Sequence, residues 1–81
     1  MNPKSELCLT QVFSPFSLLL CKNALYQLEA GEEIEVLMGD PEAISDLTRI
    51  IERSTDRILY KTAEDGYFRI RIQKGPSEFR K

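Results

Sequence analysis

The stretch Val12-Phe13-Ser14-Pro15-Phe16-Ser17-Leu18-Leu19-Leu20 contains the strongest fold signal in this chain of 81 residues. Serine is a favoured helix N-cap, and proline is favoured at the first helical position because its missing N–H leaves no hydrogen bond unmade. Ser14 before Pro15 therefore predicts a helix that runs to about Glu29, with Gly31 placed to end it. A side chain at position 14 would lie at the positive end of the helix dipole.

The residues on either side of this helix alternate between apolar and polar side chains, as half-buried strands do. Leu7 and Leu9 predict a first strand, and Glu33–Met38 predicts a second. Asp40-Pro41 then repeats the signal of a cap followed by proline, which predicts a second helix that ends at about Ser54.

Two further strands are predicted over Arg57–Thr62 and Tyr67–Lys74. Asp65-Gly66 between them is a strong hairpin signal, since glycine tolerates the positive φ that such turns require. The order is βαβαββ, and each strand has one apolar face. Both helices must therefore cover the same face of a four-stranded mixed sheet, which makes an α/β two-layer sandwich. We expect one domain over residues 1–81, with a core over about 6–74 and a loose tail over 75–81.

Charge is unevenly distributed along the chain, although the formal net charge is only −2. Residues 1–48 carry a net −6 and residues 49–81 a net +4. The acidic half argues against a uniform nucleic-acid-binding surface. The basic half contains a candidate basic face for RNA or an acidic protein, with Tyr60 and Tyr67 near it, and the alternative is an ordinary solvated surface. The arginines of this candidate face are Arg49, Arg53, Arg69 and Arg71.

Histidine is absent, and the chain has two cysteines, Cys8 and Cys21. This composition argues against a zinc or iron site and against acid–base catalysis by histidine, so we expect no metal and no cofactor. The sequence alone does not decide whether the two thiols pair. The apolar run that ends at Cys21 is too short to span a membrane, and no targeting pattern is visible. A cytoplasmic location with reduced thiols is the expectation.

The chain resembles the small TusA/SirA-like (YhhP-type) sulfur-carrier family, whose members are βαβαββ sandwiches of about this length. The family pattern is a strand, a turn and then C-P-x-P at the start of the first helix, and here it aligns with Leu7–Leu25. Gly31-Glu32, Val36–Pro41 and Tyr67–Lys74 match later parts of the pattern. The resemblance covers about residues 6–74. It implies a place near sulfur relay or tRNA thiolation, with a cysteine desulfurase among the protein partners.

The chain departs from the family pattern at the start of the first helix. The resemblance places Ser14 where family members carry sulfur on a cysteine, and Ser17 where they have the second proline. Gln11 and Cys8 replace the family's usual small and acidic residues. Several neighbouring departures favour natural divergence over a single engineered substitution at Ser14.

These departures determine the functional expectation. A serine hydroxyl cannot hold a persulfide, and no histidine is present to activate Ser14. Cys21 lies on the predicted apolar stripe of the first helix, where a thiol is inert, whereas Cys8 is expected on the open face of the sheet. We therefore expect a member without the carrier cysteine, a non-catalytic binding or regulatory module. The alternatives are an RNA-binding or protein-adaptor domain that uses the basic face, and a sulfur carrier that acts through Cys8.

Overall fold

The computed structural model describes residues 6–12 and 15–76, which form four strands and two helices. The elements are β1 (Glu6–Leu9), α1 (Phe16–Tyr26), β2 (Glu33–Met38), α2 (Pro41–Glu52), β3 (Arg57–Glu64) and β4 (Tyr67–Gln73). The strands form one sheet in the order β1-β2-β4-β3, in which β1 and β2 are parallel and β4 is antiparallel to both of its neighbours. The predicted βαβαββ order and mixed sheet are confirmed.

The register of the sheet separates its two faces. Val36 pairs with Leu7 on one side and Ile70 on the other, and this apolar row lies under the helices. Glu35 pairs with Glu6 and Arg71, and this charged row lies on the opposite face because successive side chains in a strand point to opposite sides. The result is the predicted two-layer sandwich. Its buried apolar core is formed by Leu9, Cys21, Leu25, Leu28, Ile34, Val36, Met38, Ala43, Ile44, Leu47, Ile51, Ile70 and Ile72.

Helix α1 is shorter than the sequence predicts, since it ends at Tyr26 rather than near Glu29. After Gln27 the backbone forms a tighter turn than an α-helix, since Leu28 N–H donates to the carbonyl of Leu25, three residues back instead of four. The Glu29 N–H is then bound by the Glu32 carboxylate at 2.8 Å, so the helical hydrogen-bond pattern cannot continue. Gly31 follows with a φ of +92°.

Helix α2 begins as predicted, with the Asp40 carboxylate accepting a 3.0 Å hydrogen bond from Glu42 N–H. It ends at Glu52, two residues before the predicted Ser54. The Ser54 hydroxyl donates to the Ile51 carbonyl and accepts from Asp56 N–H, and such local side-chain bonds compete with helical ones.

The hairpin between β3 and β4 turns at Asp65-Gly66, as predicted, with Gly66 at a φ of +90°. Strand β3 is two residues longer than predicted, because Ala63 and Glu64 pair with the first residues of β4 instead of forming a loop.

The chain end differs from the expected loose tail where it is described. Gly75 is buried, and its N–H donates to the Asp56 carboxylate at 2.8 Å. The carbonyl of Pro76 accepts a hydrogen bond from the Thr55 hydroxyl. Residues 77–81 lie outside the described residues.

Candidate functional site

The resemblance places the family's active position at the start of helix α1, which the structure describes from Pro15 onward. Pro15 occupies the N-cap position, one residue later than predicted, because the first helical hydrogen bond runs from Leu19 N–H to the Pro15 carbonyl at 3.1 Å. Neither an N-cap side-chain bond nor an acidic residue in the first turn is found in the described part of this helix. Ser14, the predicted cap, lies outside the described residues, as does Phe13. Phe16 is exposed.

The chain after β1 packs closely against the chain after β2. A Cβ atom at Gly39 would lie 2.8 Å from the Thr10 carbonyl oxygen, which is closer than a side chain tolerates. Parallel strands end at the same edge of a sheet, so both helices begin at this edge. The tight approach at Gly39 therefore constrains the backbone at Thr10, where the connection from β1 towards α1 begins.

Ser17, which the resemblance aligns with the family's second proline, is the one buried polar side chain of the described residues. Its hydroxyl oxygen has no hydrogen-bond partner among them. Sequence reasoning did not single out its burial, although Ser17 lies four residues before Cys21 and eight before Leu25, on the same helical stripe. A buried hydroxyl without a partner lowers stability.

Cys21 lies in the core and is free of any disulfide. Burial raises the pKa of its thiol to about 12, because the thiolate would lose its hydration there. The predicted packing role agrees with this position. A thiol with such a pKa supplies almost no thiolate at neutral pH and is a poor nucleophile.

Cys8 is exposed and also free, and it pairs in register with Leu37 on the face of the sheet opposite to α1 and α2. This is the face on which the sequence placed it. Its sulfur lies 3.5 Å from the Thr10 hydroxyl oxygen, and hydrogen bonding to Thr10 lowers the pKa of the thiol. Cys8 therefore differs from Cys21 in both access and acidity, but it lies on the sheet layer rather than at the start of a helix.

The uncovered face of the sheet carries a network of ion pairs centred on Glu35. One Glu35 oxygen accepts from Arg71 at 2.9 Å and from the Tyr60 hydroxyl, and the other accepts from Arg69. These hydrogen bonds, with that from Tyr60 the strongest, lower the pKa of Glu35 to about 2. Arg71 also binds Glu33 at 2.9 Å. We call Glu33, Glu35, Tyr60, Arg69 and Arg71 the sheet network.

The predicted basic face is divided between two layers of the molecule. Arg69 and Arg71 lie on the sheet and are neutralised by carboxylates of the sheet network. Arg49 and Arg53 lie on α2, in the helix layer, where they line an open groove of about 290 Å³ together with Leu18, Asp46 and Ile50. The structure does not bring the four arginines together. The alternation of Glu and Arg along β2 and β4 was the sequence signal for this pairing.

Helix α1 exposes large apolar side chains on the side that faces away from the core. Phe16, Leu19 and Tyr26 recur at helical spacing with Asn23 between them, and Leu20 lies beside this row. The sequence analysis placed the apolar stripe of this helix, with Cys21, in the core, and it did not identify Leu19, Leu20 and Tyr26 as exposed. The signal was available, since eight of the eleven residues of α1, FSLLLCKNALY, are apolar or aromatic. A helix that is apolar all round normally has a partner on both sides.

Within residues 6–12 and 15–76, His, Cys, Asp and Glu side chains form no group of three or more that would hold a metal ion. No helix in this part of the chain is both long and apolar enough to cross a membrane.

Comparison with known proteins identifies the family. The family model described as "Sulfurtransferase TusA" matches residues 9–74. The solution structure of HP1264 from Helicobacter pylori has a similar fold, with a TM-score of 0.61 over 88% of this chain and 97% of that one, at 16% sequence identity. No curated protein sequence matches the chain. Because the family model covers most of the sequence, and the fold agrees with it, the chain belongs to the TusA sulfurtransferase family.

Proposed function

We propose that this TusA-family chain does not carry sulfur itself and acts as a binding or regulatory module that docks to proteins of a sulfur relay. Sulfur transfer of this kind requires a thiolate that attacks a donor persulfide and later releases the terminal sulfur. At the family's carrier position the chain has Ser14, whose hydroxyl cannot hold a persulfide.

The positions of the two thiols carry the proposal. Cys21 is fully buried and has a pKa of about 12, so it is neither accessible nor ionised. Cys8 is accessible, but it lies on the uncovered face of the sheet, whereas helix α1 packs on the other face. Neither thiol replaces the missing one at the helix start.

A partner that delivers sulfur would still meet the family's surface. Pro15 is present at the helix start, and the close approach of Gly39 constrains the backbone at Thr10, earlier in the same connection. Phe16 is exposed beside Pro15 and offers an apolar contact. By resemblance to the family, a cysteine desulfurase is the partner class to test.

The second candidate is a sulfur carrier that acts through Cys8. The exposure of this thiol and the lowering of its pKa by Thr10 favour it. A thiolate on an open strand face can attack a persulfide donor only if the donor reaches that face.

One experiment separates the two candidates. The wild type, Cys8→Ala, Ser14→Cys and the double variant are incubated with a cysteine desulfurase and cysteine, and intact mass is measured before and after reduction. We expect no reducible sulfur on the wild type or on Cys8→Ala, but sulfur on both variants that contain Ser14→Cys. Sulfur on the wild type that disappears in Cys8→Ala would instead establish the second candidate.

The Ser14→Cys variants test the docking part of the proposal. If they accept sulfur, the desulfurase still recognises this surface and only the nucleophile has been lost. If Ser14→Cys stays unmodified while the protein remains folded, docking to a desulfurase is contradicted. Circular dichroism on each variant supplies the folding control.

A further inference from the structure

We propose that the exposed face of helix α1 is covered by the same helix of a second copy of this chain, in an antiparallel, two-fold symmetric pair. This inference goes beyond the proposed function and does not depend on it. Three observations carry it: the apolar character of the face, its area, and the charges at its two ends.

The face has the composition of an interface core. Phe16, Leu19 and Tyr26 form its row, and Lys22 is the one charged residue of the whole helix. Interface cores are poor in charge and rich in aromatic residues. The face has no acids, and the two-fold contact contains one like-charge pair, the two Lys22 side chains, which lie about 3 Å apart along the axis at the exposed edge of the pair.

The exposed area is sufficient for a weak dimer. The exposed fractions are 65% for Phe16, 60% for Leu19, 43% for Leu20 and 81% for Tyr26. At roughly 200 Å² for a large side chain, these four expose on the order of 500 Å². A stable complex buries about 800 Å² on each partner. The polar residues around the row and the groove beside it would have to supply the rest, so we expect a dissociation constant in the micromolar range.

The charges at the two ends of α1 favour an antiparallel arrangement. The groove beside Leu18, in the first turn, is lined by Arg53, which forms no ion pair within the described residues. Glu29, just past the other end, is exposed and likewise without an ion pair there. Rotation about the middle of α1 places Tyr26 of the second copy level with Phe16, so that Glu29 of that copy, three residues past the helix end, comes to on the order of 10 Å from Leu18. Two long side chains span that distance together, and symmetry makes the contact twice.

The test is the mass of the full chain in solution as a function of concentration. Sedimentation equilibrium from about 5 to about 500 µM should show the average mass rising from 9.3 kDa towards twice that value. Leu19→Asp should stay monomeric over the same range. Because Leu19 is exposed, its circular dichroism should match that of the wild type. A mass that remains at 9.3 kDa throughout would overturn the proposal and leave the face to a different protein.

Charge reversal tests the antiparallel orientation separately. Arg53→Glu and Glu29→Arg should each weaken the dimer about tenfold, since each change places like charges together at two symmetric positions. The double variant Arg53→Glu/Glu29→Arg should recover most of the wild-type affinity. Arg57→Glu, an exposed charge reversal on β3, is the matched control and should leave the dimer unchanged. Single variants without effect, or a double variant without recovery, would overturn this orientation.

Discussion

The Thr10 carbonyl oxygen lies 2.8 Å from the point that a Cβ atom at Gly39 would occupy. The contact joins the chain after β1, which leads into α1, to the chain after β2, which leads into α2. The absence of a side chain at Gly39 is therefore required by packing, since its φ is not positive.

Gly39→Ala should lower the free energy of unfolding by about 1–3 kcal/mol, because the added methyl group forces the Thr10 backbone to move. Urea denaturation measures the loss. Glu52→Ala, at an exposed position on α2, should change stability by less than about 0.5 kcal/mol. A Gly39→Ala protein as stable as the wild type would contradict this prediction, because the Thr10 backbone would then move without loss of stability.

Ser17→Ala should raise the free energy of unfolding, by about 0.5–2 kcal/mol. The substitution removes a buried hydroxyl that has no partner among the described residues, and alanine is the better helix former. Ser45→Ala, on the exposed side of α2, reports the helix-propensity part alone. If the two variants gain equally, or Ser17→Ala loses stability, the Ser17 hydroxyl is satisfied in solution.

Acid should destabilise the wild type more than Glu35→Gln. The pKa of Glu35 falls from an ordinary 4.5 to about 2 in the folded protein. A carboxyl with a lowered folded pKa stabilises the fold above its unfolded pKa, and this contribution is lost as pH falls through the folded value. Between about pH 5 and pH 2 the wild type should therefore lose on the order of 1 kcal/mol more than Glu35→Gln.

Thermal unfolding across this pH range measures the difference. Glu52→Gln is the control, since Glu52 is exposed and belongs to no ion pair within the described residues. The loss of stability of Glu52→Gln in acid should equal that of the wild type. Equal acid sensitivity of Glu35→Gln and the wild type would contradict the lowered pKa of Glu35.

Alkylation should distinguish the two thiols. Iodoacetamide at neutral pH should modify Cys8, which is exposed and has a lowered pKa, and spare Cys21 until the protein is unfolded. Peptide mapping after native and denaturing treatment gives the extent at each site. Equal native modification at both positions would mean that the core around Cys21 opens readily.

The affinity for RNA should be low even at low salt, where contacts to phosphate are strongest. Phosphates would have to displace Glu33 and Glu35 from Arg69 and Arg71, while Arg49 and Arg53 lie on the other layer. Titration of single-stranded RNA at two salt concentrations tests this, since real phosphate contacts weaken steeply with salt. Tight, salt-sensitive binding that Arg49→Ala and Arg53→Ala abolish would support the RNA-binding alternative.

Local sequence signals predicted the elements well where neighbouring residues alone determine the structure, as in a helix cap, a tight turn or an alternating strand. Asp40-Pro41 predicted the start of α2, Asp65-Gly66 predicted the hairpin, and alternation predicted β2 and β4 to within one residue. The ends of the helices were less predictable. They depend on which side chain captures a free backbone group, as Glu32 does at Glu29 and Ser54 does at Ile51.

The candidate site was predictable in its residue types but not in its arrangement. The resemblance identified Ser14 and Pro15, and strand alternation placed Cys8 on the open face. The sequence analysis left open whether the four arginines form one basic face or an ordinary solvated surface. Their pairing with particular carboxylates was not predicted, because composition alone does not give the register of the strands. The exposed row on α1 was missed as well, since apolar spacing fits both sides of a helix that is apolar all round.

By itself the sequence determined the order of the elements, the single apolar face of the sheet and the serine at position 14, which the resemblance aligns with the family's carrier cysteine. These follow from local backbone preferences, from periodicity and from covalent identity. Only the tertiary structure decided that Arg69 and Arg71 are neutralised by Glu33 and Glu35, that Ser17 is buried without a partner in the described residues, and that one side of α1 stays uncovered. Each of these depends on which atoms lie within a few ångströms across elements that are distant in the chain.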